Sequence, residues 1–184
     1  MKLNEIVNRL AKYYNNVSET EKTIRNSALV AAGSCAVGGI IPFAQIPAAI
    51  IASFGAVWTM YGLLCKQLDV PIKRNVLWLL AGAALSNLSA NILGGLVALL
   101  FPGGNISGAV LSYACVYLAG TMFMQFVLTL AEKGVVGRDL GELSRSELKN
   151  AMAEQRVDKA AFEEACRDCE QSPPQDGSPA PANA

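Results

Sequence analysis

Between Asn75 and Ala131 the chain carries no charged residue, and no other feature constrains its fold as strongly. Two apolar arms, residues 75–101 and 108–131, are joined by a turn built from Pro102, Gly103, Gly104 and Asn105. A core helix of a water-soluble protein carries charge on its outer face, whereas a hydrocarbon core of about 30 Å is crossed by roughly 20 helical residues. Each arm meets that length. The run therefore predicts a membrane-resident helical hairpin.

A second uncharged run lies between Arg25 and Lys66. Pro42 and Pro47, flanking Gln45 in PFAQIP, interrupt helix continuity and divide it into arms at residues 27–41 and 46–65. The first arm rises only about 22 Å at 1.5 Å per residue. It crosses a bilayer only if its polar N-terminal turn enters the headgroups. This is a second, shorter hairpin, opened by a capping-box pattern at Ser18 and Glu21.

The fifteen basic and fifteen acidic residues are confined to the pieces outside these runs. If each hairpin crosses and returns, the N-terminus, the connector KQLDVPIKR and the C-terminal region share one side, and their basic residues mark it as cytoplasmic. The expected localisation is thus the bacterial inner membrane with both termini cytoplasmic. The uncharged opposite turns fit spanning hairpins. They fit re-entrant hairpins equally, provided protein covers the turns. A soluble all-α bundle is the third arrangement open to this pattern.

The expected fold class is all-α: a membrane protein with two hydrophobic hairpins, an N-terminal amphipathic helix and a C-terminal cytoplasmic helix pair. Residues 1–17 form the amphipathic helix, with Leu3, Ile6, Val7, Leu10 and Tyr14 at helical spacing. That helix either lies on the membrane surface or packs on the rest of the protein. Residues 18–133 form the membrane domain, with hairpins at 18–66 and 72–133. Residues 134–170 form the helix pair, opened at Ser144 and Glu147 and again at Asp158. The tail 171–184, QSPPQDGSPAPANA, is proline-rich and expected to be disordered.

Small residues recur every fourth position on the third arm, at Gly82, Ser86, Ala90, Gly94 and Ala98. Such a ridge permits close helix packing, within one chain or in a homo-oligomer. Asn87 and Asn91 lie one turn apart on the same arm and Gln125 lies on the fourth; their amides prefer a protein or water-lined setting over lipid. Lined by Ser86, Asn87 and Asn91, an assembly of hairpins is a pore or channel subunit. The uncharged arms contain no Asp, Glu, Lys, Arg or His, which argues against a proton relay or ion-coupled pump.

The chain has no histidine, so the commonest general base and metal ligand is missing. No GxxxxGK[ST] phosphate loop is present, and no catalytic residues or cofactor are expected. Cys166 and Cys169 make a CxxC pattern, whose chemical reading is redox exchange or half of a zinc site. With no second CxxC in the chain, the alternative is burial of both sulfurs on the apolar face that holds Phe162. Zero formal net charge gives no ground for nucleic-acid binding.

GGIIPFAQIPAAI, MYGLLCKQLDVPI, FPGGNISGAVLSYACVYLAG and LSRSELKNAM occur in that order between Gly38 and Leu148. In this succession the chain resembles the bacterial YcjF-type domain of unknown function, found alone or beside Era-like GTPase domains. The resemblance implies a membrane-associated helical domain working with a GTPase or another partner, any such GTPase acting here in trans. The resulting expectation is a non-enzymatic membrane anchor, scaffold or remodelling module that engages the lipid bilayer and a cytoplasmic partner. The alternatives are the pore subunit and a soluble helical binding module.

Overall fold

The computed structural model describes residues 2–37, 45–70, 80–82, 108–135, 146–147 and 159–171. Among these, every long regular element is a helix: α1 (Leu3–Leu10), α2 (Ser18–Val37), α3 (Gln45–Gln67), α4 (Gly108–Glu132) and α5 (Lys159–Gln171). The all-α expectation holds at this level. Residues 83–107, and with them most of the third arm and the turn at Pro102, Gly103, Gly104 and Asn105, lie outside the described residues.

Helix α4 is the axis. It packs against each of the other four helices, and Tyr113, Phe123, Met124, Phe126 and Leu128 on it are fully buried. One stretch among the described residues, Ala109–Glu132, is long and apolar enough to cross a bilayer, yet 78% of its 18-residue apolar window, of mean hydropathy 1.7, is buried inside the protein. Its apolarity is accounted for by the chain's own helices packing around it.

Side-chain contacts fix the directions of the helices. Helix α3 runs parallel to α4: Ser53 and Ser112 share a buried hydroxyl hydrogen bond of 2.7 Å, and farther along the Tyr61 hydroxyl donates to the Ala119 carbonyl at 3.0 Å. The Tyr61 ring stacks on Phe123 with centroids 4.7 Å apart. Helix α2 runs the other way, bringing Ile24 and Met60 together at Gly120 and Thr23 within 2.8 Å of Gln67 Nε2. A Cβ on Gly120 would sit 2.8 Å from two Ile24 carbons. The three helices cross closely because this position has no side chain.

Both α3 and α4 end in the same way. Val135 N–H donates to the Leu130 carbonyl and Gly134 N–H to Ala131, with Gly134 at φ 75°, the pattern of a Schellman cap. Val70 to Cys65 and Asp69 to Lys66 repeat it on α3. There the left-handed position, φ 50°, is held by Asp69. Asp69 thus terminates α3.

Helix α1 places Leu3, Ile6 and Leu10 in the core and packs on α4 and α2, the second of its two expected placements. Helix α5 buries Phe162, Ala165 and Cys166 against α4. Both amphipathic helices lie alongside the apolar helix.

Candidate functional site

Helix α4 carries a polar row. From Leu111 to Ala131 its incompletely buried positions are Tyr117, Thr121, Gln125 and Thr129, four residues apart and so on one face. The Thr121 hydroxyl donates to the Tyr117 carbonyl at 3.0 Å and that of Thr129 to Gln125 at 2.9 Å. Gln125, expected as an amide in a protein-lined setting, lies half-buried in this row.

At Tyr117 and Thr121 the row meets a cleft of about 180 Å³, bordered also by Lys2, Glu21, Arg25, Glu164 and Asp168. Four helices supply these groups, and their charges pair. Lys2 Nζ lies 2.7 Å from Glu164. Arg25 reaches Glu21 at 3.5 Å and Asp168 at 3.4 Å. The Tyr113 hydroxyl donates to the other Asp168 oxygen at 2.6 Å. Farther along α4, Arg9 pairs with Glu132.

The hydrogen bond and charge of Glu164 raise the Lys2 pKa above its ordinary value. At Arg25 burial opposes the charge; Asp168 leads the groups that outweigh it, and the guanidinium is held above its usual range. A cleft of this kind clasps. Its polar groups stabilise one another across α1, α2, α4 and α5, and the Thr121 hydroxyl on its floor is bonded back to its own helix.

Cys166 is buried and Cys169 partly buried on α5, the first within the apolar core and the second packed against it. Among the described residues no group of three or more His, Cys, Asp or Glu side chains is placed to hold a metal. Gly82 is exposed and has open space where a Cβ would project. The rest of its ridge (Ser86, Ala90, Gly94 and Ala98), together with Asn87 and Asn91, lies outside the described residues, as does Pro42. Gln45 and Pro47 belong to the first turn of α3, where the missing proline N–H has no helical partner to lose.

The ionic clasp was not legible in the sequence. Its members lie on four helices widely separated in the chain, and the available signal was coarse: amphipathic α1 and α5 each need an apolar surface to cover. No protein-family model, no curated protein and no solved structure matches this chain.

Proposed function

We propose that the chain is a non-enzymatic, membrane-associated helical module, an anchor or scaffold of the bacterial inner membrane. Its ion-paired helices α1 and α5 face the cytoplasm and engage a partner there, such as a GTPase acting in trans. The observation that carries this reading is the lateral segregation of charge. Helices α1 and α5 lie against α4 with their ion pairs, while α2 beyond Arg25 and α3 before Lys66 have no charged residue yet expose Val30 at 60% and Leu63 at 45%. Placement of both terminal helices against α4 supports termini on one side of the membrane.

A second reading, a soluble helical binding module, is favoured by one observation: 78% of the 18-residue apolar window on α4 is already covered by the protein. Fractionation of cells producing the untagged chain separates the two. The membrane module pellets with membranes and resists alkaline carbonate; the soluble module stays in the supernatant.

A further inference from the structure

The two sides of the three-helix unit α2–α3–α4 are unlike in a way that specifies a depth. Gly120 is the level at which all three meet, through Ile24 and Met60. From that level α2 runs thirteen residues to Val37, α3 fifteen residues back to Gln45 and α4 twelve residues back to Gly108. At 1.5 Å per residue this is a tip of roughly 18–22 Å, and it contains one charged side chain, Arg25, at its base. One leaflet, half of a bilayer whose full thickness is about 40–45 Å, has that depth.

The outward rows of the tip are chemically suited to hydrocarbon. On α2 the row includes Val30 and Ser34, and on α3 Gly55 and Thr59, the α3 row continuing past the Gly120 level to Gly62 and Leu63. Both hydroxyls on these rows are satisfied within their own helix, Ser34 to the Val30 carbonyl at 2.9 Å and Thr59 to Gly55 at 3.0 Å. That back-bonding is how serine and threonine are accommodated where no water is available.

The border of the uncharged rows is basic on both helices. The first charges met on leaving them are Arg25 and then Lys22 on α2, and Lys66 on α3, matching the phosphates of a headgroup layer. On the α5 side the ionic edge comes closer to the tip: Asp168 binds the Tyr113 hydroxyl, five residues from the start of α4. A slab as thick as the whole hydrocarbon core, centred on α4, would immerse Arg25, Asp168, Lys2 and Glu164 together, at a cost that ion pairing in hydrocarbon offsets poorly.

From this geometry we propose that the α2–α3 side of the tip embeds in a single leaflet, with α1 and α5 on the water side and α4 enclosed between them. The partner is a phospholipid leaflet, and α4 does not cross it. This rests on the membrane reading above and adds its depth.

Embedding in one leaflet and spanning the bilayer along α4 place two tryptophan positions in opposite order. The full chain carrying Trp78→Phe retains Trp58, near the Gly120 level. A second variant, Trp58→Phe with Trp78→Phe and Val37→Trp, reports from the tip. Both are reconstituted into phosphatidylcholine–phosphatidylglycerol vesicles whose phosphatidylcholine is brominated near the headgroup or near the acyl terminus. In a single leaflet, Trp58 is quenched better by the shallow bromines and position 37 by the deep ones. Spanning puts Trp58 at the bilayer centre and position 37 near the far headgroups, so the reversed order overturns the proposal while leaving the membrane reading intact. Failure of the chain to float with vesicles overturns the membrane reading itself. Gln45→Trp in the same double-phenylalanine background gives the tip measurement independently if Val37→Trp does not fold.

Discussion

Single positions decide how closely the helices approach. A Cβ at residue 120 meets Ile24 at 2.8 Å and Met60 Sδ at 3.1 Å, so Gly120→Ala forces at least one of these side chains to shift. The expected cost is about 1–3 kcal/mol, read from a denaturant or thermal midpoint. Gly62→Ala meets nothing within 4 Å and sits inside a helix, so it stabilises by about 0.5–1 kcal/mol. The Ser53–Ser112 pair is buried. Either single alanine orphans the other hydroxyl and costs about 1–3 kcal/mol, and the double alanine costs less than the sum. At Asp69, with φ 50°, glycine relieves left-handed strain and stabilises by about 1 kcal/mol. The sequence shows the serines and glycines but not their neighbours. Which glycine is indispensable depends on the crossing of α2, α3 and α4, a matter of tertiary geometry.

The amphipathic helices are held chiefly by their apolar faces. Ile6 is fully buried, and Ile6→Ala is expected to cost about 2–5 kcal/mol. Arg9→Ala, removing an exposed pair with Glu132, should cost less than about 1 kcal/mol. Lys2 shows the sign of the pH dependence. Its pKa is raised in the folded chain by Glu164, so its contribution is complete below the ordinary lysine pKa and is lost as pH rises through the raised one. The folded chain is therefore expected to lose its Lys2 contribution only under alkaline conditions, a loss absent in Lys2→Ala. At this scale the sequence was most informative. The capping box at Ser18 and Glu21 marks the observed start of α2, and the apolar spacing from Leu3 to Leu10 identifies the face that α1 buries. It did not show what that face covers, because an apolar stripe is equally suited to lipid and to α4.

Around the whole molecule, charge is segregated by side. Reading charge along the chain alone makes each uncharged arm a candidate span and puts every charge beyond a membrane boundary. In three dimensions Tyr113 and Tyr117 on α4 stand beside Asp168 and Arg25, so the most apolar described helix is the one its own ionic neighbours cover. In the membrane arrangement we propose, lipid meets α2 and α3. The central claim is that α4 is shielded and the α2–α3 side is not, and it is tested most directly by photolabelling. The unaltered chain in phosphatidylcholine–phosphatidylglycerol vesicles is exposed to a lipid bearing a photoreactive group at its acyl terminus, and the modified peptides are mapped. Adducts on α2 beyond Arg25 and on α3 before Lys66, with α4, α1 and α5 unmodified, are the predicted result; adducts distributed along α4 would contradict it.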